Sequence, residues 1–148
     1  MPDRECSDQP PGIPHARKEF FAAAEAVYAS SKPQTLPLAF LWGRTIELLL
    51  KSYLLSFGVS VERLRSREFG HNLVALYTEA RTRGIDALIG SDSVLAGLMQ
   101  LLNLEYGSKR FEYRESGTMY SIPDAEIARA VIRRLLKGIN FHLRENGI

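Results

Sequence analysis

Apolar residues recur along this chain at helical spacing, and short polar breaks holding Gly, Pro or Ser separate the runs. Phe20, Ala23, Ala24, Val27 and Tyr28 share one face of a helix predicted from His15 to Ser31. Lys32-Pro33 closes it. A second helix runs from about Pro37 to Phe57, with Thr35 as its N-cap and Gly58 as its stop. Its apolar residues, Trp42, Ile46, Leu49, Leu50, Tyr53 and Leu54 among them, cover nearly every face. That pattern belongs at the centre of a bundle or in an interface. Ser60 to Leu64 reads as one short turn. A third helix opens at Gly70-His71-Asn72-Leu73 and carries the stripe Leu73, Leu76, Tyr77 and Ala80 to about Arg83. Residues 85–90 read as a linker or a short turn.

A fourth helix starts at Ser91 and presents Leu95, Leu98, Met99, Leu101, Leu102 and Tyr106. The last helix starts from the capping pattern Ser121-Ile122-Pro123-Asp124, with Ile127, Val131, Leu135, Ile139 and Leu143 as its stripe. Between these two, Phe111 and Tyr113 alternate with charged residues ahead of Ser116-Gly117. Residues 108–121 therefore read as a small hairpin or a loop. The fold class expected is all-α, an antiparallel bundle of about five helices in one domain over residues 15–148. Residues 1–14, with four prolines, read as a flexible tail.

Charge narrows the function classes. The 19 Lys and Arg nearly balance the 17 Asp and Glu, for a net charge of +2. A strongly basic nucleic-acid coat is excluded, but a local basic patch is not. Cys6 is the only cysteine, so no intramolecular disulfide can form. The histidines, His15, His71 and His142, form no short-spaced pair, and no metal or cofactor is expected. The start of the chain lacks the apolar core of a signal peptide. Arg44, Glu47 and Lys51 interrupt the most apolar stretch, against a membrane span. A cytoplasmic protein is expected.

Four groups of residues carry candidate chemistry. Arg44, Glu47 and Lys51 lie three and four apart, on one strip of the second helix, where they can pair. They read as a register-fixing ion pair, a solvated strip or a ligand site. His71 reads as a general base, or as a helix-start residue bonded to backbone or to a carboxylate such as Glu47. From Tyr106 to Arg114, the basic Arg110 and Arg114 interleave with Phe111, Glu112 and Tyr113, a pattern for phosphate contact and base stacking, or for plain packing. The run Arg63, Arg65, Arg67, Arg81 and Arg83 is diluted by Glu62, Glu68 and Glu79 and reads as a solvated face. No Gly-rich phosphate loop, nucleophile elbow or metalloprotease His pair is present.

The run from Arg44 through Glu47 and Lys51 to Gly58, followed by Gly70-His71-Asn72-Leu73 and Leu76, resembles the HEPN superfamily of small all-α domains. The Glu-x-x-x-Lys pattern and the Gly-His-x-Leu-x-x-Leu helix start carry that likeness. Tyr106 to Arg114 is similar to the Tyr-x-x-x-Arg-Tyr segment of one branch. The resemblance spans roughly residues 38–114. It implies a bundle of four or five helices, often a homodimer. Many members are RNases of toxin–antitoxin or phage-defence systems; others bind nucleotides, RNA or a protein partner such as a nucleotidyltransferase without catalysis.

RNase members carry an Arg followed after four to six residues by a His, near the start of the last conserved helix. Here Arg65 and His71 fit the spacing but precede the third helix. The expectation is therefore a non-catalytic, homodimeric module, with Arg44, Glu47, His71, Arg110, Glu112, Tyr113 and Arg114 as ligand-binding residues. The alternatives are a metal-independent RNase using Arg65 and His71, which needs those side chains to converge in an open groove, and a structural interaction subunit.

Overall fold

The computed structural model describes residues 13–30, 35–90, 93–106 and 123–148. Seven helices and no strand occur among the described residues: α1 Ile13–Ala29, α2 Thr35–Ser56, α3 Val61–Arg65, α4 Leu73–Thr82, α5 Ile85–Ile89, α6 Ser93–Tyr106 and α7 Ala125–Glu145. The described residues form an all-α bundle.

Helix α2 is its axis, packed against α1, α4, α6 and α7. Trp42, Ile46, Leu49, Leu50, Tyr53 and Leu54 are all buried. Each such side chain removed from water contributes about 1.5–3 kcal/mol, so this helix forms the core that its pattern predicts. Around it, α1 and α7 run antiparallel. Arg17 Nε donates to Asn140 Oδ1 at one end, and Arg129 and Arg133 hold Glu25 at the other, each at 2.8 Å. α4 and α6 are also antiparallel, since the start of α4 meets the end of α6. By contrast, α4 follows α2 in the same sense. Glu47 meets His71 before α4, and Tyr53 donates to the Arg83 carbonyl after it, at 2.6 Å. The connection through α3 brings the chain back to make this possible.

Several expected boundaries shift. α1 begins at Ile13, inside the stretch read as tail, because Pro14 is compatible with a first turn. The rest of that tail, residues 1–12, lies outside the described residues. Thr35 is the first helical residue of α2 rather than its cap. Residues 85–89 form a helical turn anchored by buried Ile85 and Ile89. On α7, Ile127 is 52% exposed, and the inward face is Ala128, Val131, Ile132, Leu135, Ile139 and Leu143. A strict four-residue stripe gains about 40° per step on a 3.6-residue helix, so its first member rotates off the buried face. Gly138 lets α7 approach α5: a Cβ there would come within 2.6 Å of Ile89 Cγ2. The expected hairpin at 108–121 lies outside the described residues.

Candidate functional site

Glu47 points inward from the middle of α2 and has no exposed surface. Burying a carboxylate is costly unless donors surround it. Four side chains do. Lys51 Nζ stands 2.7 Å from Oε1, and Arg44 Nη1 stands 3.0 Å from Oε2. The Tyr106 hydroxyl, from the end of α6, donates to Oε2. His71 Nδ1 lies 3.1 and 3.2 Å from the two oxygens.

The electrostatics follow from this crowd. Burial alone would raise the Glu47 carboxyl. The Lys51 and Tyr106 hydrogen bonds, with the Lys51 and Arg44 charges, outweigh it and hold the group below the usual carboxylate range. Burial and the neighbouring carboxylate push the Tyr106 phenol far upward, so it stays protonated and donates. Burial works against the Arg44 guanidinium, yet the Glu47 charge raises it above its ordinary value.

Local sequence explains how these groups meet. Arg44, Glu47 and Lys51 share a face of α2 by spacing alone. Ser60 caps α3 by accepting from Arg63 N at 3.1 Å, and buried Leu64 anchors that turn. The chain then turns sharply. Buried Phe69 pins it, Gly70 takes φ +42°, and Asn72 N donates to the Phe69 carbonyl at 2.7 Å. A residue with a Cβ is strained at such a φ, so Gly70 suits the turn that aims His71 at Glu47.

A cleft of about 290 Å³ opens over this cluster. Arg44, Lys51, Arg65 and His71 line it together with Leu48, Val61 and Leu64. With His71 neutral, three cationic side chains face one carboxylate, an excess of two positive charges. The His71 side chain is 41% exposed and that of Arg44 32%, so both reach solvent. A wider groove of about 500 Å³ lies between α4 and α6. There Arg81 pairs with Asp86 at 3.0 Å, and the Tyr77 hydroxyl donates to the same carboxylate.

Of the expected ligand residues, Arg44, Glu47 and His71 come together. Arg110, Glu112, Tyr113 and Arg114 lie outside the described residues. Arg65 and His71, the catalytic alternative, line the same cleft. Arg63 pairs with Glu68 and Glu79, and the partly buried Arg83 with Glu79, so the run is not one solvated face. His142 is elsewhere: it packs on Tyr53 and Phe57 with Nε2 2.9 Å from Ser56 Oγ.

Two contributors escaped the sequence reading. Tyr106 entered only as part of an apolar stripe and a motif, although a buried tyrosine needs a partner for its hydroxyl. Gly43 is the second. A Cβ at Gly43 would come within 2.7 Å of the Tyr106 ring, so glycine is what admits that ring. A small residue within an otherwise bulky apolar helix was the available signal.

Among the described residues, no group of three or more His, Cys, Asp or Glu is placed to hold a metal ion, and no helix is long and apolar enough to cross a membrane. Set against protein-family models, curated proteins and solved structures, the chain gives no match.

Proposed function

We propose that this chain is a HEPN-like helical module that binds the phosphate of a nucleotide or of RNA in the cleft over Glu47, acting as a homodimer. The observation that carries this reading is the convergence of Arg44, Lys51, Arg65 and His71 around one buried carboxylate. Guanidinium groups suit phosphate by their forked donors, and an ammonium suits it as a point charge. Glu47 offsets part of the mutual repulsion of the cations and leaves the cleft positive. Three cations at single-stranded RNA give a log–log salt slope of about −2.

A second reading is favoured by one feature. Glu47 takes Nδ1 of His71 and leaves Nε2 outside that contact, and the partly exposed ring lines the same cleft as Arg65. That arrangement suits a metal-independent RNase. His71 would take the proton of a ribose 2′-hydroxyl while Arg65 stabilises charge on the phosphate.

One gel series separates the two. Labelled single-stranded RNA is incubated with the wild-type protein, Arg65→Ala and His71→Ala. Intact RNA of reduced mobility, with the shift weakened in Arg65→Ala, supports the binding module. Cleavage that disappears in both variants establishes the RNase. Intact RNA with no shift, at low salt and high protein, removes RNA as the ligand and the RNase with it, and leaves a nucleotide or a protein partner.

A further inference from the structure

The last turn of α6 grips the His71 region at two points. Tyr106 donates to Glu47, the partner of the imidazole. Asn103, one turn earlier, accepts the Leu73 N–H at 2.8 Å and so holds the first turn of α4, two residues beyond His71. The Tyr106 ring also meets the His71 ring edge-on, with centroids 5.8 Å apart and planes at 86°. The ring is seated against Gly43, where no Cβ could stand.

The proton positions follow from donor counting. An ionised carboxylate only accepts. Its pull on Nδ1 therefore requires the N–H there, and a neutral His71 keeps its lone pair on Nε2. Lys51 and Arg44 fix Glu47 along α2, but both belong to Glu47's own helix. Tyr106 is the only donor to that carboxylate, apart from His71, that the described residues bring from another helix.

We propose that Tyr106 is a positioning residue of this cleft: anchored on Gly43, it fixes the Glu47 carboxylate and walls the imidazole, so that neutral His71 is held as the Nδ1–H tautomer with Nε2 presented to the ligand. The last clause rests on the phosphate-binding reading above; the tautomer does not. Tyr106 itself touches no ligand. It acts through Glu47 and through the shape of the slot in which the imidazole sits.

The test reads the imidazole nitrogens of the full chain by long-range ¹H–¹⁵N correlation at neutral pH. The His71 signals are assigned by their absence in His71→Gln. Wild type, Tyr106→Phe and Tyr77→Phe are compared. Tyr77→Phe also deletes a tyrosine hydroxyl bonded to a carboxylate, but in the α4–α6 groove.

The expected wild-type pattern is a protonated Nδ1 and an unprotonated Nε2. In Tyr106→Phe both nitrogens move toward a mixture of tautomers, while Tyr77→Phe retains the wild-type pattern. RNA affinity falls about tenfold in Tyr106→Phe alone, the size of one lost hydrogen bond to a charged group.

A wild-type Nε2–H tautomer overturns the proposal, and so does a Tyr106→Phe spectrum identical to wild type. If Tyr106→Phe fails to fold, 3-fluorotyrosine at position 106 keeps the ring and alters the acidity of its hydroxyl. The His71 nitrogen shifts then move with it, or the proposal fails. A wild-type protein that binds neither inorganic phosphate nor RNA removes the functional reading, and the tautomer comparison still decides the role of Tyr106.

Discussion

Replacing Glu47 by leucine strips the acceptor from four side chains at once. Leucine is close in volume, so the loss is electrostatic rather than a cavity. Lys51, its side chain 10% exposed, becomes an ammonium with little water and no counter-charge. The buried Tyr106 hydroxyl also loses its acceptor. Breaking a buried pair by removing one partner costs about 3–5 kcal/mol. Arg44, a third exposed, rehydrates and adds little. Against a total stability of about 5–15 kcal/mol, this loss is large. For a chain of this size it lowers Tm by about 6–20 °C. Urea unfolding followed by circular dichroism measures it, compared at equal m-value. The double variant Glu47→Leu/Lys51→Met replaces the whole pair with apolar groups and recovers at least half of the loss. Glu47→Leu within about 1 kcal/mol of wild type would refute the reasoning. A double variant no more stable than the single one would do the same.

Acid tests the same carboxylate. Glu47 is held below its ordinary range, as is Glu25 through its hydrogen bond from Arg129. A depressed folded pKa gives stability that is present above the unfolded value, near 4.3, and lost as pH falls through the folded one. Urea midpoints are therefore level above about pH 5 and drop below about pH 4, with a shallower drop in Glu47→Gln; equal slopes would count against the assignment. Two glycines give opposite outcomes in thermal unfolding. Gly138→Ala crowds Ile89 and the Leu88 carbonyl and costs about 1–3 kcal/mol of packing, more than its gain in helix propensity of about 1 kcal/mol. Gly97→Ala meets nothing within 4 Å and is neutral or stabilising.

The periodic stripes of α2, α4 and α6 made the bundle readable, since burial of a helix face is written directly in its spacing. The Arg44–Glu47–Lys51 strip was equally local. Its pairing with His71 is one of the alternatives the sequence leaves open, because a buried carboxylate needs donors and a helix-start histidine needs a partner. Other features were not local. The direction of α4 against α2 depends on how a sixteen-residue connection, residues 57–72, returns, which no periodicity encodes. The five-residue helix α5 is too short for a period to be read, and buried Ile85 and Ile89 decide it by tertiary packing. Tyr106 joins Glu47 across 59 residues of chain, through the absence of a side chain at Gly43. The convergence of Arg65 with His71 likewise depended on the turn at Gly70.

The most direct test is an amide ¹H–¹⁵N titration of the full chain with a short single-stranded RNA at low salt. The account predicts that the signals that move first belong to Lys51, Val61 to Arg65, Gly70 and His71, around one cleft, and that Arg65→Ala suppresses those movements together. Movement centred instead on the outer face of α7, at Arg133 and Lys137, or no movement at millimolar RNA, would contradict it.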